Sequence, residues 1–127
     1  MLKAHRGAVV NTSSISGLSA SPFEAAYCTS KGAILQLTRA IAVEYRDRGI
    51  RCNSLCPGFI RTAHGLRELA ELASVGQPLS DRSIAGVQGR RCEPREVARA
   101  ALFQASNDST FVNGAVMVVE NGWLALT

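Results

Sequence analysis

The sequence predicts an α/β fold: half of a doubly wound parallel sheet, with about three strands flanked by helices. Ala8 to Ser13 is a short, β-branched, apolar run without alternation, as expected of a strand buried on both faces. A long segment of three-and-four spacing follows, then a second such run, Ile50 to Leu55, which completes the rhythm of a βαβ unit.

Taken in order, Met1 to Arg6 sets cations ahead of Gly7, the pattern of a helix's last turn with glycine in a left-handed cap. A helix cannot consist of its last turn alone. Either the chain begins further upstream, or it starts inside what is elsewhere a longer helix. After the first strand, Gly17 to Pro22 is a small-residue loop, and Pro22 suits the first turn of a helix running through Arg48. Ser30, Ile34, Leu37, Ile41 and Tyr45 form its apolar stripe, and Gly49 caps it. Pro57-Gly58 ends the second strand sharply. Thr62 to Val75 is helical by propensity although it contains Gly65. It runs into an irregular stretch, Gly76 to Gly89, whose composition suits a surface loop or a mobile substrate lid equally. Glu93-Pro94 opens another helix, with Val97, Ala98, Ala101, Leu102 and Ala105 as its buried stripe. Asn107 to Thr110 breaks it, Ala115 to Val119 is the last strand, and Glu120-Asn121-Gly122 turns out of it.

The 127 residues make one domain at most, short for a complete dinucleotide-binding enzyme. A hydrophobic content of 46% with 19% charged residues argues against disorder. Fourteen Lys and Arg against ten Asp and Glu give a net charge of +4. The arginines are dispersed and no aromatics interleave them, which argues against a nucleic-acid partner. Cys28, Cys52, Cys56 and Cys92 form no C-x-x-C pair, and His5 and His64 lie on other segments. No metal site can be assembled from these groups, and buried free thiols are expected. With no signal peptide and no apolar run approaching about 18 residues, the chain reads as cytoplasmic and away from membranes.

The chemistry concentrates in Ser14 to Lys31, SISGLSASPFEAAYCTSK. Tyr27 and Lys31 are four apart and project from one helical face. A cation beside a phenol favours the phenolate, so Tyr27 can serve as a general acid or base. Ser14, thirteen residues earlier at a strand end, can reach the same site and hold a substrate oxygen. Taken singly, each has a structural reading: Tyr27 as a half-buried aromatic, Lys31 as a solvated helix residue, Ser14 as a loop hydroxyl. Cys28 invites a nucleophile hypothesis, but no histidine is near in sequence to activate it, so it reads as packing.

The trio resembles the Ser and Tyr-x-x-x-Lys set of the short-chain dehydrogenase/reductase family. The resemblance extends to Val9-Val10-Asn11-Thr12-Ser13-Ser14, to Cys56-Pro57-Gly58-Phe59-Ile60-Arg61-Thr62, to Gly89-Arg90-Arg91 through Val97-Ala98, to Phe103-Gln104-Ala105-Ser106 and to Val112-Asn113-Gly114. It implies a Rossmann-like fold and hydride transfer between the nicotinamide of NAD or NADP and a small alcohol or ketone substrate. Ser14, Tyr27 and Lys31 are then catalytic. Lys31 lowers the pKa of Tyr27 and bonds the nicotinamide ribose. Tyr27, Lys31, Pro57, Gly58, the Ile60 backbone and the Thr62 hydroxyl hold the cofactor, and Phe23 and Glu24 border the substrate. It also favours the lid reading of Gly76 to Gly89, and pairing of subunits through the Pro22 to Arg48 helix. Glu120-Asn121-Gly122 departs from the family's acidic residue followed by two glycines, a change expected to alter a turn and leave the chemistry alone.

None of the eleven glycines forms the tight turn that a pyrophosphate needs; Gly86-Val87-Gln88-Gly89 lacks a preceding strand. The expectation is therefore that residues 1–127 are the C-terminal, catalytic part of one short-chain dehydrogenase domain. The dinucleotide-binding half and the family's catalytic asparagine would lie upstream or on another polypeptide. The alternative is a truncated, inactive relative acting as an oligomerisation or binding module with a full-length homologue.

Overall fold

The computed structural model describes residues 6–126. The expected helix end at residues 1–6 lies almost wholly outside them, and Gly7 opens a strand in place of a cap. Three parallel strands, β1 (Gly7–Thr12), β2 (Ile50–Pro57) and β3 (Val116–Val119), form a sheet in the order β1-β2-β3. Gly7 is opposite Ile50 and Ser54 is opposite Val116, so both pairings are parallel crossovers. Four helices accompany them: α1 (Ala25–Tyr45), α2 (Ala63–Ser74), α3 (Asp81–Gln88) and α4 (Pro94–Ala105).

β2 is the core, buried along nearly its whole length. Its alternation sends side chains to opposite faces. On one face the Asn11 amide donates to Thr38 Oγ1 on α1 at 3.0 Å and to Cys52 Sγ at 3.6 Å. On the other, Arg51 donates to the carbonyls of Gln104, Ser106 and Val112 at 2.9, 2.9 and 3.3 Å, satisfying the end of α4. Thus α1 and α4 cover opposite faces. Asn53 donates to the Val112 carbonyl at 2.8 Å and accepts from the Ala115 N–H at 2.9 Å, which fixes the approach to β3. All four cysteines are free thiols, and Cys52, Cys56 and Cys92 are buried.

Several expectations need correction. β1 is half-buried, not buried on both faces, because among the described residues it pairs only with β2. The long helix starts at Ala25, because Phe23 takes φ 67° and breaks the chain after Pro22; Arg46–Arg48 continues it as a 3-10 turn capped by Gly49 at φ 65°. Leu35, Thr38 and Ala42 are its buried face, whereas Leu37 is 54% exposed and Ser30 lies outside. On α4 the buried residue is Gln104, while Ala98, Leu102 and Ala105 face outward. The irregular stretch contains α3, closed at its start by the Ser80/Ser83 capping box. Gly65 sits inside α2 because a Cβ there would collide with the Ile60 carbonyl oxygen.

Candidate active site

β1 hands the chain to Ser13-Ser14. Ser14 caps a 3-10 turn, Ile15–Gly17, its Oγ accepting from the Ser16 N–H at 3.1 Å. Two contacts bolt that turn to α1. Ser13 Oγ donates to the Lys31 carbonyl at 2.7 Å. Gly17 approaches so closely that a Cβ would stand 2.9 Å from the Lys31 carbonyl carbon and oxygen. The loop therefore folds over the helix as the thirteen-residue offset suggests, and its registration depends on Ser13 and Gly17.

Tyr27 and Lys31 share the α1 face below this turn, with Lys31 Nζ 5.4 Å from the centroid of the Tyr27 ring. The Tyr27 phenol is pushed above its ordinary value, by burial first and by Glu68 second, while the nearby Ser14 hydroxyl pulls the other way. The expected lowering by Lys31 is not the balance found: the ammonium lies over the ring, and the charges that count at the hydroxyl are Glu68 and Glu24. Burial also pushes up the Glu68 carboxyl, helped by Glu24 and opposed by His64 and Lys31. Cys28 is half-buried and Cys56, beside Ser13 and Ser14, is a thiol raised by burial.

The facing wall is the end of β2. The Gly58 N–H donates to the Val119 carbonyl at 3.2 Å, and a Cβ on Gly58 would strike Gln88 Oε1. Gln88 is buried and clamps the loop from both sides. Its Oε1 accepts from the Phe59 N–H, and its Nε2 donates to the Phe59 and Arg90 carbonyls, all at 2.9 Å. Phe59 and Cys92 are joined by backbone pairing about Ile60, whose own N–H is unpaired among the described residues. Thr62 caps α2, its Oγ1 accepting from the Gly65 N–H at 3.0 Å, so its hydroxyl proton remains available. Beyond β3, Glu120 accepts from the N–H groups of Gly122 and Leu124 at 3.1 and 2.9 Å. That places the Trp123 ring against Phe59, with centroids 5.7 Å apart and planes 19° apart.

These walls enclose an open cavity of about 240 Å³ at the carboxyl ends of β1 and β2. Ser14, Tyr27, Lys31, Pro57, Gly58, Ile60 and Thr62 all line it, as does Glu24; Phe23 does not, being 68% exposed at its strained φ. Sequence reasoning missed Gln88, Glu68 and the Phe59–Trp123 pair. The signal for Gln88 was a glutamine among apolar helix positions. For Trp123 it was the departure at Glu120-Asn121-Gly122, a turn just before it that lies outside the cavity lining: Asn121 adopts φ 57° and its Nδ2 donates to the Gln88 carbonyl at 2.9 Å.

The donor set fits a nicotinamide and its ribose. Lys31 Nζ, the Thr62 hydroxyl and the free Ile60 N–H line one cavity and offer donors of the kind that a carboxamide and a diol need.

A family model described as enoyl-(acyl carrier protein) reductase matches residues 1–124. The 2-(R)-hydroxypropyl-CoM dehydrogenase of Xanthobacter autotrophicus (strain ATCC BAA-1158 / Py2) is 41% identical over 128 residues, covering 99% of this chain and 49% of the relative. The NADP-bound structure of ElxO superposes with a TM-score of 0.83 at 35% identity, covering 98% of this chain and 49% of that one. NAD+-bound xylitol dehydrogenase superposes at 0.89 and 30%, covering 96% and 51%. The chain spans about half the length of the curated relatives it matches.

Proposed function

The chain belongs to the short-chain dehydrogenase/reductase family, and from that premise we propose that it carries the catalytic half of an NAD- or NADP-dependent oxidoreductase acting on alcohol and carbonyl groups. The observation that supports this most is the convergence of Ser14, Tyr27 and Lys31 on one cavity, with the Ser13–Lys31 and Gly17–Lys31 contacts fixing their registration.

The nicotinamide, when bound, supplies the site that gives or takes the hydride. The chain's own residues do the rest. Tyr27 passes a proton to or from the substrate oxygen, and Ser14 holds that oxygen through its hydroxyl. Lys31, beside the Tyr27 ring, would bond the ribose hydroxyls. Pro57, Gly58, Ile60 and Thr62 would hold the carboxamide. Because burial and Glu68 raise the phenol, Tyr27 is protonated at neutral pH, the state suited to carbonyl reduction. The adenosine half of the cofactor would be held by the remainder of a family domain. The outward apolar side chains of α1, Leu37 and Val43, suit association with a second subunit. A reducing cytoplasm suits four free thiols.

The test is hydride transfer by the protein with NAD or NADP across a panel of alcohols and ketones. Tyr27→Phe is expected to lower kcat by about 10²–10⁴-fold while nicotinamide binding, read by fluorescence, persists. A rate unchanged in Tyr27→Phe would sink the proposal. A folded protein that transfers no hydride would favour the inactive, assembly-forming alternative.

A further inference from the structure

The cavity holds a feature that the proton-transfer trio leaves unused. Glu68, on α2, and Glu24, at the start of α1, both line it, as do Ser14 and His64. No hydrogen bond or ion pair holds the Glu68 carboxylate among the described residues, although the side chain is half-buried. A carboxylate kept partly out of water beside a second carboxylate is unfavourable for folding unless a ligand satisfies it. The direction of its pKa agrees, since burial and Glu24 push the Glu68 carboxyl up. A second, independent observation concerns shape and polarity. The stacked rings of Phe59 and Trp123 line the same cavity, and the hydroxyls of Ser16, Ser19 and Ser21 line it too. Hydrogen-bond acceptors and hydroxyls around a flat aromatic surface suit a molecule with C–H faces and many hydroxyl groups. Two carboxylates repel an anion.

We propose that Glu68 is a specificity-determining residue, accepting a hydrogen bond from a substrate hydroxyl other than the reacting one, so that the site selects uncharged polyols and rejects carboxylate-bearing analogues of the same length. The proposal rests on the oxidoreductase reading for which oxygen reacts, and on the cavity alone for which molecule binds. Glu24 adds to the repulsion but, at the start of α1, is the secondary contributor.

The experiment compares ribitol with ribonate, which differ in one terminal carboxylate. Binding to the protein in the presence of NAD or NADP is measured by calorimetry at pH 8, in the wild type, Glu68→Gln and Glu24→Gln. Ribitol is expected to bind at least about tenfold more tightly than ribonate, as two charges several ångströms apart in a partly dehydrated site require. Glu68→Gln should bring the two within about threefold by tightening ribonate, and Glu24→Gln should have the smaller effect. A preference for ribonate, equal binding, binding of neither, or a ratio unchanged in Glu68→Gln overturns the proposal. Hydride transfer from ribitol is followed separately. Selective binding without transfer would count against the oxidoreductase reading alone, and transfer without selectivity against this one alone.

Discussion

At the level of single residues, the Tyr27 phenol sets the direction in which pH acts. Its raised pKa means that proton donation is available at neutral pH and that proton abstraction grows as the solution becomes alkaline. Alcohol oxidation is therefore expected to climb with pH through the alkaline range, and carbonyl reduction to fall over the same range. Glu68→Gln removes one of the two leading causes of the upward shift, so its oxidation profile should move toward lower pH than the wild type's; an unmoved profile would exclude Glu68 as a cause. The same substitution carries a stability prediction of definite sign. The folded-state pKa of Glu68 lies above its ordinary 4.5, so the native state holds this proton more tightly than the unfolded chain. Its contribution is present below pH 4.5 and is lost as pH rises through the folded value. Glu68→Gln should raise the melting midpoint at pH 8 and leave it nearly unchanged near pH 4, as calorimetric scans at the two pH values would show.

Among elements, the connection between β2 and α2 depends on a helix distant in sequence. Gln88, at the end of α3, replaces strand neighbours that the Phe59 backbone would otherwise lack, and Asn121 holds Gln88 in turn through its carbonyl. Gln88→Leu keeps the volume but strands the Phe59 N–H and the Arg90 carbonyl, while the Phe59 carbonyl keeps the Cys92 N–H. It is expected to cost about 2–4 kcal/mol in chemical denaturation, the range for buried backbone groups left unpaired. It should also raise KM for the nicotinamide cofactor more than it lowers kcat, since Ile60 and Thr62 follow Phe59 directly. A loss of stability with KM unchanged would confine Gln88 to folding. The end of α4 shows the same logic, with Arg51 on the strand supplying donors for its Gln104 and Ser106 carbonyls and for Val112 ahead of β3.

For the molecule as a whole, the order of strands and helices was legible because each is local: β-branched runs, three-and-four spacing, Pro94 at a helix start, Gly49 at a helix end. The faces were less so. Spacing marks an apolar stripe but does not say which side the sheet takes. Here the sheet takes Thr38, which bonds Asn11, and Gln104, which donates to the Ser54 carbonyl at 3.2 Å, while Leu37 and Leu102 point out. Polar residues win those positions by satisfying strand partners, which no hydrophobic count registers. The trio was legible from spacing, whereas Glu68 and Trp123, which line its cavity, and Gln88, which holds the Phe59 loop, were not, because only the folded chain brings these distant segments together. The central position of β2 has a consequence in time. Its amides lie between two partner strands and under helices on both faces, so they should exchange with deuterium only when the whole sheet opens, whereas α3, eight residues long, should exchange through local opening. The cavity thus rests at the end of β2 on the slowest-exchanging segment of the chain, whereas α3, which touches the Phe59 loop through Gln88 and does not line the cavity, exchanges among the fastest. An exchange series read by mass spectrometry would rank the two elements, and peptides of β2 exchanging as quickly as those of α3 would refute the ranking.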